Sequence, residues 1–456
     1  MNTTSSQLKL PPGPKGMPFF GSAFAFQSDP LRFVRRLQRE YGSMATAYVG
    51  KLPFVFCFRP EHVRYFLTEQ QKNFKKANRS RNNLKRLLGD GLLTIDGEYH
   101  RQQRRLVQPA FHKRRIESYA NVMTQYTQEM LATWQPYAEI DMSQAMQQLT
   151  LRIIGQTLFH IDLIDRSRAI GQAFTDLIER PTGPFRSLVR VPFLTRKQEQ
   201  KAWAGKELID DFVYELIRRR RAGGQDTGDV LSMLLAAQDE GNILSDTQIH
   251  DHVLTFVAAG HETAQNTLSW TFYLLSRNPA VRHKLQEELR AVLGGRAPTV
   301  DDLPHLPYLG WAINEAWRMM PPAWIISRQA IDDFDLEGYH FPAGTVVILS
   351  QWVIHNLPDV WGDPEVFRPE RWQPEEAQKI PQGAFFPFGM GPRICIGMPF
   401  AEMETRLLLA TILQQYTPEL VPGFPVVPLP RVTLRPKYGM KMILEPATKL
   451  ASITIS

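Results

Sequence analysis

The chain has 456 residues, 43% hydrophobic and 22% charged, with a formal net charge of +7. That balance suits a globular protein with ample material for a large core. Two cysteines, Cys57 and Cys395, exclude a disulfide framework and any four-cysteine zinc or iron–sulfur site supplied by this chain alone.

The basic excess favours anionic partners. No dense Lys/Arg tract with interleaved aromatics occurs, so nucleic acid is not an expected partner. The opening "MNTTSSQLKLPPGPKGMPFFGSAF" lacks the apolar run of roughly 20 residues that spans a bilayer. It also lacks the basic start and short apolar core of a signal peptide. The expectation is a cytoplasmic protein without a membrane anchor.

In chain order, "PPGPKG" from Pro11 to Gly16 reads as a stiff, extended segment. "MATAYVGKLPFVFCF", Met44 to Phe58, predicts two short strands around Gly50–Lys51, with Cys57 as a small buried hydrophobe. From about residue 115 to 293 the pattern is mostly helical. Within it, "SDTQ" from Ser245 to Gln248 is a capping box. The apolar run behind it predicts one helix that stops at Asn278–Pro279. That is roughly 32 residues, or about 48 Å at 1.5 Å per residue. Apolar on most faces, it should cross the middle of the protein, although Gly260, His261, Glu262 and Thr263 stand at its centre. Later come strand-like runs, "GTVVILSQWV" and "RVTLRP". The expected fold is mainly α with a smaller β portion from both ends (α+β). Nothing marks a domain boundary, so residues 1–456 read as one domain.

The stretch "FGMGPRICIG", Phe388 to Gly397, sets Cys395 in a constrained loop. A single thiolate makes a poor zinc or iron–sulfur site. It makes a good axial ligand to an iron whose other ligands come from a macrocycle, which points to haem. Gly389, Gly391 and Gly397 permit tight turns that aim backbone amides at the sulfur. Arg393 stands two residues away, suited to an acidic group of the cofactor, and Phe388 is suited to shielding one face. The helix that follows presents its N-terminal amides.

This loop resembles the haem-thiolate signature of the cytochrome P-450 superfamily. Other motifs follow in that family's order. "EAWR", Glu315 to Arg318, resembles its Glu-x-x-Arg, and "FRPERW" resembles the partner segment that brings Arg371 to Glu315 and Arg318. "AGHETA", Ala259 to Ala264, resembles the oxygen-binding segment of its long central helix, and "DGEYHRQQRRLVQPAF" resembles its C helix. The resemblance covers essentially the whole chain. It implies the P-450 fold, with the long central helix lying across the haem.

The resemblance further implies a monooxygenase carrying haem b (iron protoporphyrin IX). Cys395 would be the axial ligand, with Arg393, Arg104, Arg328 and His100 at the propionates. Many members carry tryptophan where this chain has His100. Glu315, Arg318 and Arg371 would form a structural triad. Thr263 and Glu262 would be the acid–alcohol pair, with Glu262 relaying protons from solvent to the site of O2 reduction and Gly260 thinning the helix for dioxygen. No fused reductase is expected after the haem domain, so electrons are expected from a ferredoxin or flavodoxin with an NAD(P)H-dependent reductase. The basic stretch "HRQQRRLVQPAFHKRR" offers a docking face. A monomer is expected. Leu87, Leu88, Val257, Ala258, Trp324 to Ile326 and the segment "ERPTGPFRSLVRVPF" are the expected pocket walls. They favour a long apolar substrate, a fatty acid or terpenoid, with Arg186 or Arg190 as a carboxylate partner. Two rival readings are a haem-thiolate gas or redox sensor and a cofactor-free binding protein. A sensor has no need of Glu262 and Thr263.

Overall fold

The structure is a computed structural model, described here for residues 10–179, 192–224, 226–239 and 242–447. Arg186 and Arg190 lie outside the described residues, as does most of the segment that contains them.

The helices that position the site are α1 (Gly97–Val107), α2 (Met142–Phe159), α3 (Pro192–Gly223), α4 (Asp246–Arg277), α5 (Pro307–Met319) and α6 (Met398–Leu413). Helix α4 begins and ends where the sequence predicts. Ser245 caps it, with its side chain accepting from the Gln248 amide at 3.3 Å while Gln248 Oε1 accepts from the Ser245 amide at 2.9 Å. Asn278 closes it before Pro279. Residues on nearly every face of α4 are buried, and α2, α3, α5 and α6 all pack on it. The main core cluster surrounds this helix.

The β portion is smaller. Strands β1 (Met44–Val49) and β2 (Leu52–Cys57) form the expected hairpin, and Gly50 takes the left-handed conformation, φ +62°, that the turn requires. Cys57 is fully buried. Strands β3 (Phe74–Lys75), β4 (Ile326–Ala330) and β5 (Val346–Leu349) complete a sheet of order β1-β2-β5-β4-β3. The β2–β5 pair is parallel and the others are antiparallel. Pairing of Lys75 with Gln329 brings Lys76 beside Arg328. The run "GTVVILSQWV" is strand only to Leu349. Ser350 then caps the helical turn Gln351–Ile354 through the Val353 amide, which explains why the apolar run changes form.

A hairpin of β6 (Pro428–Pro430) and β7 (Leu434–Pro436) lies against α4. The buried Trp270 indole donates to the Leu434 carbonyl at 2.9 Å and fixes the hairpin to the helix. Among the described residues, no helix is long and apolar enough to cross a membrane.

Candidate active site

The Cys395 loop is held from behind by buried charge. Arg318 donates twice to Glu315 at 2.9 Å, and Arg371 Nε donates to the same carboxylate at 3.2 Å. The Arg368 amide and the Trp372 indole also donate to Glu315, at 3.1 and 3.0 Å. Arg318 reaches on to the carbonyls of His355 and Pro364 at 2.9 and 2.8 Å. His355 Nε2 in turn accepts from the Phe386 amide at 3.0 Å. The three charged residues expected to associate are thus together, and their network ends at the backbone that enters the loop.

Within the loop, the Cys395 amide donates to the Phe388 carbonyl at 2.9 Å. Gly389 and Gly391 have φ of +76° and +72°. A Cβ on Gly391 would stand 1.9 Å from the Leu67 carbonyl oxygen, so only glycine allows this approach. The Cys395 side chain is open to a recess although protein surrounds the loop. Burial raises its thiol pKa, opposed by the amides of Gly397 and Met398 and by Arg104. The amides nearest the sulfur are therefore those of Gly397 and Met398, at the start of α6, rather than those of Gly389 and Gly391. With the thiol raised on balance, a cation at the sulfur is what would make it a thiolate.

A cluster of cations stands by the loop, and of these Arg104 acts on the thiol itself. Arg104 on α1 donates to the Ile394 carbonyl at 2.8 Å. Arg393 pairs with Asp96. Lys76 donates to the carbonyls of Leu92, Leu93 and Ile95 at 3.2, 2.7 and 2.9 Å. Burial lowers Lys76 to about 7, and Arg393 and Arg328 push the same way against Asp96. Burial likewise lowers Arg328 to about 10, aided by Arg393. For Asp96, burial opposes ionisation, but the Lys76 amide, Arg393 and the Gly97 amide outweigh it and hold the carboxyl below its ordinary range. His100 is buried, and its pKa falls to about 4 through burial first, then Lys76, Arg393 and Arg104. It is a neutral ring that offers a hydrogen bond rather than a charge. Lys76 had no signal in the sequence, because only strand register brings it here.

Phe388 meets Trp317 edge-on at 4.9 Å, and the Trp317 indole donates to Thr267 Oγ1 at 2.9 Å. This ties the loop to α4 one turn beyond Thr263. Ala259, Gly260, Thr263 and Gln265 interrupt the otherwise buried centre of α4. The Thr263 hydroxyl donates to the Ala259 carbonyl at 2.7 Å, which leaves its lone pairs free to accept.

Two expectations, for Glu262 and Trp324, need correction. Glu262 does not share the Thr263 face or meet solvent. It is buried and accepts from Thr433 Oγ1 at 2.6 Å, because consecutive helical side chains point about 100° apart. Gly260 is half-buried, and a Cβ there would stand 2.7 Å from Ile154 Cδ1, so this glycine also gives α2 room. Trp324 is a core residue, stacked on Phe26 at 6.3 Å with its indole donating to the Arg431 carbonyl at 3.0 Å. Leu87, Leu88, Val257 and Ala258 belong to the main core, while Ile325 and Ile326 are half-buried.

Among the described residues, no cluster of three His, Cys, Asp or Glu side chains is arranged to hold a metal ion. A lone thiol near half-buried cations that exceed their nearby carboxylate suits an iron that brings its own macrocycle and a dianionic edge. Fold and site together define a haem-thiolate protein. The Cytochrome P450 family model matches residues 11–442. Cyclooctatin synthase of Streptomyces melanosporofaciens is 35% identical over 95% of each chain. Pentalenene oxygenase of Streptomyces avermitilis is 34% identical over 95% of this chain and 97% of its own. Retinoic acid bound cyanobacterial CYP120A1 superposes with a TM-score of 0.86 at 27% identity, covering 96% of this chain and 100% of its own. The chain belongs to the cytochrome P450 family and is a monooxygenase with a haem-iron cofactor, using O2 and a redox partner on an organic substrate.

Proposed function

We propose that this monooxygenase hydroxylates a terpenoid on haem b held by Cys395, with electrons from a separate ferredoxin or flavodoxin. The relatives named for cyclooctatin and pentalenene, both terpenoids, carry the substrate reading. A long-chain fatty acid is the second apolar class. Residues 1–456 are read as one haem domain, acting as a cytoplasmic monomer.

Cys395 would bind the iron, with the amides of Gly397 and Met398 and the Arg104 cation tempering the sulfur charge. Arg104, Arg328, Arg393 and Lys76 would hold the propionates, and neutral His100 would donate a hydrogen bond. When bound, the haem supplies the redox chemistry of O2 activation. Thr263, its proton donated to the Ala259 carbonyl, would accept a hydrogen bond from a protonated oxygen species in the recess. Glu262, next to Thr263 in the chain, would be a buried acid able to store a proton. The exposed Arg101, Arg105, Lys113 and Arg114 support docking of an acidic electron carrier.

The test is a panel of sesquiterpene and diterpene hydrocarbons and fatty acids, added to the haem-loaded protein. A shift of the Soret band with one terpene, followed by its hydroxylated product on turnover, supports the proposal. Turnover of fatty acids alone would replace it by the second class.

A further inference from the structure

The Thr433 hydroxyl sits between two buried side chains of α4. Its oxygen lies 2.6 Å from Glu262 Oε1 and 3.0 Å from Asn266 Nδ2. All three residues are buried. Thr433 belongs to the 431–433 connection of the β6–β7 hairpin, which is fixed on several sides. The Arg431 amide donates to the Thr433 carbonyl at 2.9 Å, the Leu434 amide to the Pro322 carbonyl at 2.8 Å, and the Trp270 indole to the Leu434 carbonyl.

A hydroxyl donates one proton and can accept as well. With Glu262 ionised, Asn266 Nδ2 donates to Thr433 and Thr433 donates to Glu262. With Glu262 protonated, its carboxyl donates to Thr433, and the threonine proton needs another acceptor. A half-turn of the Asn266 amide puts Oδ1 in that place. Among the described residues Asn266 Oδ1 has no hydrogen-bond partner, so the half-turn breaks only the bond that it replaces. Burial favours the protonated acid, while the Thr433 hydrogen bond and the Arg435 charge on β7 favour the ionised one. On α4 itself the neighbouring His261 faces away, with Nδ1 2.6 Å from the Val257 carbonyl and its ring against Phe174.

We propose that Thr433 and Asn266 are positioning residues that let buried Glu262 gain and lose one proton without losing its hydrogen bond, by reversing the direction of the Asn266–Thr433–Glu262 chain. Only Glu262 changes its proton count. Thr433 and Asn266 each keep the number that they began with. The inference rests on the reading of Glu262 as the proton store of the monooxygenase.

The experiment uses the haem-loaded full chain as wild type, Thr433→Val, Thr433→Ser and Asn266→Leu. Infrared difference spectra against pH follow the carbonyl stretch of protonated Glu262, assigned by its loss in Glu262→Gln. Thr433→Val removes the donor to the carboxylate, so the midpoint should rise by about one unit or more. Asn266→Leu removes the acceptor that the protonated state needs, so the midpoint should fall. Thr433→Ser should restore the wild-type value. Unchanged midpoints, or shifts of one sign in both Thr433→Val and Asn266→Leu, would overturn the inference. The reduced, carbon-monoxide-bound spectrum of the same samples reports separately on the thiolate haem. Its failure in wild type sinks the functional reading, whatever the infrared result.

Discussion

Arg318 holds Glu315 one helical turn away through two 2.9 Å hydrogen bonds, with neither side chain exposed. Glu315 is the anion in both ion pairs of the triad, with Arg318 and with Arg371. Glu315→Gln keeps the shape and removes that charge. Breaking a buried pair by removing one partner costs about 3–5 kcal/mol. The expected result is a lower urea midpoint and little haem-loaded protein. A wild-type midpoint would show that the triad is not structural.

Cys395 is open to the recess and its side chain supports no core packing. Cys395→His should therefore fold and bind haem, yet lose the strongly red-shifted Soret band of the reduced, carbon-monoxide-bound form. Retention of that band in the variant would mean that another group is the axial ligand.

Thr263 bonds only to its own helix through Ala259 in the hydrogen bonds described. Thr263→Ala should leave haem content and melting temperature close to wild type. Product per electron pair should fall by about tenfold or more, one acid–base group contributing up to about 10²–10⁴ to a rate, with hydrogen peroxide taking up the difference. Wild-type coupling would remove the hydroxyl from the reaction.

Local signals in the sequence were reliable where local chemistry decides the outcome. The Ser245 capping box and Pro279 bounded α4, and Gly50 marked the β1–β2 turn. The cysteine loop and its triad were legible because their residue types and order are specific. What escaped depends on tertiary placement. Lys76 joins the cations only through the pairing of β3 with β4, and Thr433 reaches Glu262 only because a distant hairpin packs on α4. What packs on Glu262 was missed for the same reason: helical phase turns it away from Thr263, but does not say what covers the face that it takes.

The exposed Arg105 lies on α1 next to the Arg104 that acts on the thiol, and the exposed Lys113 and Arg114 open the short helix Lys113–Ser118 that follows. The double variant Arg105→Glu, Arg114→Glu should slow reduction by an acidic ferredoxin by about tenfold or more at low salt, since steering changes association rates by 10–10³. Wild-type reduction should fall as salt rises, and the variant should respond less. Equal rates and equal salt dependence, measured by stopped flow, would place the docking face elsewhere.

Three further buried histidines give the protein an acid limit. Burial lowers His252 and His261 to about 4 and His355 to about 3, from an ordinary 6.5. Geometry agrees for His355, whose Nε2 must carry a lone pair to accept the Phe386 amide. In the unfolded chain these rings take up protons as pH drops below about 6.5, while the folded chain resists until near 4. Their stabilising contribution is thus complete above the unfolded value and is lost as pH falls toward the folded values. Urea unfolding between pH 7 and 4.5 should show stability declining with acidity, with up to about three protons taken up on unfolding. His355→Gln should reduce that slope by about one proton even as it lowers stability at pH 7, because glutamine cannot titrate. An unchanged slope in that variant would mean that His355 is already protonated in the folded protein, and that the Phe386 amide does not donate to it.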